Sequence, residues 1–173
     1  MNNEIHKDDV YARIGMALVS IQRVERACKY LIICLKIADK KTKFFSSEEF
    51  LERSNLDKLD RYTLGSLFRL LNLNRNIGLE KEFSAYLRLR NSFVHSFSTE
   101  YLTGHSELQK MRAIDACFEI GRLSQKMERY IRGITYYFAF SCIKDHSKID
   151  SSVFGGKEDY ELYLRDRLTN IET

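Results

Sequence analysis

Apolar residues recur at steps of three and four through most of this chain. Val10, Ile14, Ala17, Ile21, Val24, Cys28, Leu31 and Leu35 share one face of a helix with 3.6 residues per turn, and they predict a first helix from about Asp8 to Ala38. A linker follows at Lys40-Lys41-Thr42-Lys43. Ser46 and Glu49 stand three apart ahead of Phe50 and Leu51, the form of a capping box, and predict a short helix. A turn at Ser54-Asn55 separates it from a helix holding Leu59, Leu64, Leu67, Phe68 and Leu71, and the turn formers of Asn72-Leu73-Asn74-Arg75-Asn76 end that helix.

The next helix is predicted from about Leu79 to Phe97, with a connection from Thr99 to Gly104. A long helix then runs from about Ser106 to Ile143. Leu108, Met111, Ile114, Ala116, Phe118, Ile120, Leu123, Met127, Tyr130, Ile131 and Ile134 mark its expected inward side. Asp145 to Gly156 reads as a loop hinged at Gly155-Gly156, and a last helix carries Tyr160, Tyr163, Leu164, Leu168 and Ile171 on one face. No segment alternates as a strand would. The expected fold is all-α, an up-and-down bundle of four to five helices. It forms a single domain over residues 1–173, with residues 157–173 docking on the bundle or on a partner.

Composition agrees with this. The chain has 173 residues, enough for one core, and it has no proline and only eight glycines, so long helices can run unbroken. A net charge of +4 makes the surface mildly basic, which suits contact with nucleic acid without requiring it. The longest nearly uncharged run, Gly133 to Ile143, is too short to cross a bilayer, so no membrane contact is expected. Its Tyr136, Tyr137, Phe138 and Phe140 are expected in a core or an oligomer interface. Cys28, Cys34, Cys117 and Cys142 form no C-x-x-C pair and sit in apolar helical patterns, as buried structural thiols do. With no apolar leader near Met1, they point to the cytoplasm.

The stretch Tyr86-Leu87-Arg88-Leu89-Arg90-Asn91-Ser92-Phe93-Val94-His95 carries the candidate chemistry. Arginine is a permanent cation whose planar fork matches phosphate oxygens, and histidine can take and give a proton near neutrality. A phosphate clamp beside an acid/base group suits metal-free cleavage of an RNA phosphodiester. Positions four apart share a helix face, so Asn91 and His95 line up, while Arg90 lies to one side with a side chain long enough to swing over. Arg88, seven before His95, shares the face of His95 and is the candidate RNA phosphate contact.

The R-N-x-x-x-H arrangement of Arg90, Asn91 and His95 resembles the signature of the HEPN superfamily (higher eukaryotes and prokaryotes nucleotide-binding domain), and the Leu64-Gly65-Ser66-Leu67 helix ahead of it adds to the likeness. The resemblance implies an all-helical domain and a metal-independent endoribonuclease, with Arg90 and His95 as the catalytic pair and Asn91 as polar neighbour. It also implies a homodimer in which two Arg/His sets face each other across a cleft. The expected setting is a bacterial toxin–antitoxin or antiphage-defence system with RNA as substrate, no cofactor, and an antitoxin or defence protein as a further partner. The alternative is a non-catalytic HEPN-like regulator that binds RNA, a nucleotide or a protein. Members controlled by adenylylation carry a tyrosine two residues after the histidine. Phe97 stands there and has no hydroxyl to modify.

The remaining chemistry-bearing residues are weaker candidates. His6 lies in an expected frayed terminus, and His105 and His146 at helix boundaries. Glu25 reads as an exposed helix acid or a supporting partner of the motif. No carboxylate cluster resembles a two-metal nuclease site, and no glycine-rich phosphate loop is present.

Overall fold

The computed structural model describes residues 6–40, 43–54, 56–72, 77–103 and 106–169. The sequence expectations at Lys41, Thr42, Asn55, Leu73, Asn74, Arg75, Asn76, Gly104, His105 and Ile171 lie outside them. The described residues form an all-α bundle with no β-strand. It comprises α1 (Lys7–Asp39), α2 (Ser47–Arg53), α3 (Leu64–Asn72), α4 (Glu80–Phe97), α5 (Glu107–Cys142), the single turn α6 (Ser151–Phe154) and α7 (Lys157–Thr169).

The two long helices are the frame. α1 buries Val10, Ala17, Ile21, Val24, Cys28 and Leu31, the stripe its periodicity marks. Asp8 and Asp9 lie in its first turn, where carboxylates favour the helix dipole. α5 opens on Ser106, whose hydroxyl accepts from the Gln109 amide at 3.3 Å. α1 and α5 run parallel. Arg13 lies over the Phe118 ring, Arg23 pairs with Glu128 and Cys142 Sγ meets the Cys34 carbonyl, so the sequence offset stays nearly constant along both helices. The described helices α2, α3 and α4 lie between them in the chain and lead it back to the starting end. A short bridge locks the far end, where Phe44 N donates to Cys142 O and Lys144 N to Phe44 O, both at 2.8 Å.

The smaller elements fill in around this pair. Ser46 caps α2 by accepting from Glu49 N at 3.4 Å, but the Glu49 carboxylate turns back to Phe45 N (2.6 Å) rather than to its own cap residue. Phe50 of α2 packs edge-on against Phe154 of α6 at 4.9 Å, and both are fully buried. Phe68 of α3 stacks on Phe83 of α4 at 4.2 Å. All four cysteines are buried and free, and burial pushes the Cys117 thiol up to about 11.

α7 is tied to α5, and to the chain just ahead of α4, by polar side-chain contacts. Asp159 accepts from Arg129 at 2.8 Å, Asp166 from Tyr130, and Tyr163 donates to the Ile77 carbonyl at 2.8 Å. Tyr160 and Tyr163 are half-buried as expected, whereas Leu164 and Leu168 stay in solvent. Tyr137 stacks on Tyr160 at 5.4 Å and Phe140 packs on His146, so the Tyr136–Phe140 aromatics make contacts within the chain. Gly155, at φ 82°, lies where a side chain would meet the Arg132 backbone, so its place is set by close packing and by φ.

Two glycines of α5 should respond oppositely to alanine. A methyl at Gly133 would come within 2.5 Å of the Asp159 carbonyl oxygen, whereas at Gly121 it would meet nothing. In urea unfolding, Gly121→Ala should gain up to about 1 kcal/mol from helix propensity. Gly133→Ala should lose about 1–3 kcal/mol by pushing α7 away.

Candidate functional site

α4 is fixed by its inner face. Phe83, Tyr86, Phe93 and Phe97 are buried at steps of three, seven and four. Arg90, four residues after Tyr86 and three before Phe93, falls on this same side, so its stem is drawn half into the bundle. Its Nε is buried and has no hydrogen-bond partner, while Nη1 reaches out to donate to Asn91 Oδ1 at 3.0 Å. Asn91, Arg88 and His95 are exposed.

The structure therefore joins Arg90 to Asn91 and sets His95 one turn further along Asn91's face. Five residues of helix turn through about 140° beyond a full revolution, so Arg90 and His95 leave α4 in different directions. Within one chain Asn91 is the link between them: it holds the guanidinium, and it shares the exposed face of the imidazole. Arg88 is exposed on that side too, as its seven-residue spacing from His95 requires.

Beneath Arg90 lies a polar seam. The Tyr86 hydroxyl bonds the Ser124 hydroxyl of α5 at 2.7 Å, with both residues buried. Burial pushes the Tyr86 phenol up to about 12. The Ser124 bond and the Arg90 charge pull the other way, and Cys28 and Glu128 add to the rise. Glu128, also buried, is held by Arg23 at 3.2 Å and Arg132 at 3.4 Å. Sequence patterning missed this seam. Glu128 and Arg132 do stand four apart, a visible ion-pair spacing, but a buried serine leaves no periodic signal.

The other candidates separate from the motif. Glu25 pairs with Lys29 at 3.2 Å, His146 Nε2 sits 3.1 Å from the Phe140 carbonyl, and His6 is exposed at the start of α1. Among the described residues no group of three or more His, Cys, Asp or Glu side chains is arranged to hold a metal ion, and no helix is long and apolar enough to cross a membrane. A groove of about 360 Å³ lies between α1 and α5, lined by Arg13, Met16, Arg23, Phe118, Arg122 and Gln125 among others, and it includes neither Arg90 nor His95.

The Tyr86 phenol gives a pH signature. The unfolded chain releases this proton near pH 10 and the folded chain holds it to about pH 12. The folded state thus binds more protons in that window, and stability falls as pH rises through it, by roughly 2–3 kcal/mol. Tyr86→Phe should remove this part of the alkaline loss. At neutral pH it should cost about 1–2 kcal/mol, because the Ser124 hydroxyl is left buried without its partner. Denaturant titrations at pH 7 to 12 measure both effects.

Comparison with protein-family models, with curated proteins and with solved structures yields no match to this chain.

Proposed function

We propose that this protein is a metal-independent endoribonuclease of HEPN type, acting in the cytoplasm as a homodimeric toxin or antiphage-defence effector. The observation that carries the reading is the outer turn of α4, where Asn91 grips the Arg90 guanidinium at 3.0 Å and leads along one face to the exposed His95. An arginine fork steadied by an amide has the form of a phosphate clamp, and an exposed imidazole is free to exchange protons with a substrate.

In this reading His95 takes the proton from a ribose 2′-hydroxyl, whose oxygen attacks the adjacent phosphorus. Arg90 stabilises the charge on the pentacoordinate phosphate. The bond to the 5′-oxygen breaks, and that oxygen receives a proton from the histidine of the second subunit. The products are a 2′,3′-cyclic phosphate and a free 5′-hydroxyl. The divergence of Arg90 and His95 on one helix is why the reading calls for two chains, with one subunit's clamp working beside the other's imidazole. The same divergence, with the half-buried stem of Arg90, is the observation that favours the second reading, a non-catalytic module that binds RNA, a nucleotide or a protein partner.

Incubating the purified protein with RNA in EDTA separates the two. Cleavage with cyclic-phosphate ends is expected, and His95→Ala and Arg90→Ala should each lower its rate by about 10²-fold or more. His95 is exposed, so its substitution should leave the thermal midpoint unchanged. Binding without cleavage supports the module, and cleavage that strictly needs a divalent ion overturns the mechanism.

Arg88 should act on the RNA backbone. In a filter-binding series over salt, Arg88→Glu should weaken binding to all RNA sequences alike and reduce the salt slope by roughly 1, because fewer counterions are released. Unchanged affinity and slope would remove Arg88 from the interface.

A further inference from the structure

The N-terminal half of α5 shows a second apolar face. Ala113, Cys117, Ile120 and Ser124 are turned into the bundle. On the outside run Leu108, Met111, Asp115, Phe118 and Arg122, at alternating steps of three and four, the spacing of a helix-packing seam. Leu108 is 58 % exposed, and Met111 and Phe118 are each 54 % exposed. The parallel neighbour α1 extends the patch with Met16 (63 %) and Val19 (55 %). Five large apolar side chains, each more than half in solvent on adjoining helices, form the kind of patch that marks an interface.

The charges within the seam identify the occupant. Asp115 lies three residues before Phe118 and Arg122 four after, and neither has a partner among the described residues. Let a second α5 cross antiparallel, with a two-fold axis at Phe118. Each Phe118 ring carries the Arg13 guanidinium of α1 over it at 4.7 Å, and the two rings then meet at the axis by the surface that Arg13 leaves open. Asp115 and Arg122, about 4.5 and 6 Å along the helix from it, stand opposite Arg122 and Asp115 of the second copy, within reach of an arginine side chain. By the constant offset between α1 and α5, Met16 comes level with Asp115 of the second copy and Val19 with its Met111–Arg112 turn. The seam is thus complementary to itself in its pattern of apolar positions and in the opposed charges of Asp115 and Arg122, as an isologous contact requires.

We propose that the outer face of α5, from Leu108 to Arg122, with Met16 and Val19 of α1, is a homodimer interface built on Phe118–Phe118 packing and two reciprocal Asp115–Arg122 ion pairs. The inference does not rest on the nuclease reading. Ser124, the α5 contact of α4, is turned about 120° around the helix from Phe118, so this contact leaves Arg90, Asn91 and His95 uncovered.

Light scattering of the full chain at about 10 μM and low salt tests it. The wild-type mass should be a multiple of the chain mass that halves in Phe118→Asp, in Asp115→Arg and in Arg122→Asp. The last two change exposed charges and should leave the helical circular dichroism intact, so the test survives if Phe118→Asp fails to fold. Each charge variant alone sets like charges against like. Mixed in equal amounts, the two basic side chains at positions 115 and 122 of Asp115→Arg face the two acidic ones of Arg122→Asp, and the wild-type mass should return in a complex with equal numbers of each. The double variant Asp115→Arg/Arg122→Asp should likewise regain it. A wild type that stays monomeric up to about 100 μM, a mass unmoved by Arg122→Asp, or a mixture that fails to associate overturns the proposal.

Discussion

The parallel contact of α1 and α5 is the constraint on which the other elements depend. Two helices of more than thirty residues lie side by side in the same direction, joined at one end by the Phe44 and Lys144 backbone bonds and along their length by small or apolar side chains. Ala17, Ala27, Ala113, Cys117 and Ala139 are nearly or fully buried, and small residues of this kind let two backbones approach closely. Because the pair is parallel, the chain between must travel back along the bundle, and α3 and α4 are the segment that does so. The position of the candidate site follows from this: α4 is the return leg, and only its inner face is held.

That inner face couples the motif to the frame. Tyr86 gives α4 a polar anchor in an otherwise apolar contact, and the anchor is specific, since only one register of α4 brings its hydroxyl to Ser124. A neutral buried hydrogen bond is worth about 1 kcal/mol net, while the same donor left unpaired costs more. The bond therefore contributes more to the choice of register than to overall stability. Arg90 stands one turn beyond the anchor, so the register set by Tyr86 also decides how far the guanidinium can reach. Its buried Nε leaves the Nη groups as the part of the fork available outside, one of them committed to Asn91.

Periodicity made most of the helices legible. α1, α4 and α5 begin and end within a residue or so of where the apolar pattern puts them, because breakers are scarce, and Ser106 marks the start of α5 chemically as Ser46 marks that of α2. What periodicity could not tell is which apolar stripe faces which neighbour. Leu108, Met111 and Phe118 repeat as regularly as Ile120, Met127 and Ile134, yet only the second set meets the core. Direction was equally hidden: a helix pattern reads the same whether its partner runs with it or against it. In the motif, the spacing told correctly that Asn91 and His95 share a face. The Arg90–Asn91 bond and the seam beneath it depend on Tyr86, Ser124 and Glu128, whose meeting is a product of tertiary packing.

α5 thus carries three kinds of surface at once. Its inner side is small and apolar against α1 and α4. Its C-terminal half is charged against α7, where Arg129 and Arg132 hold Asp159 and the Tyr130 hydroxyl donates to Asp166. Its N-terminal outer side carries Leu108, Met111 and Phe118 between Asp115 and Arg122, and each of the three apolar side chains is more than half exposed, with Arg13 lying over Phe118. Single exposed apolar residues are ordinary, but a contiguous patch of them is the mark of an interface. Their regular spacing on α5, continued by Met16 and Val19 on α1, is explained by a second helix laid into the same seam. In the proposed dimer Asp115 and Arg122 each meet their opposite charge across the two-fold axis, so that neither of the two is buried alone.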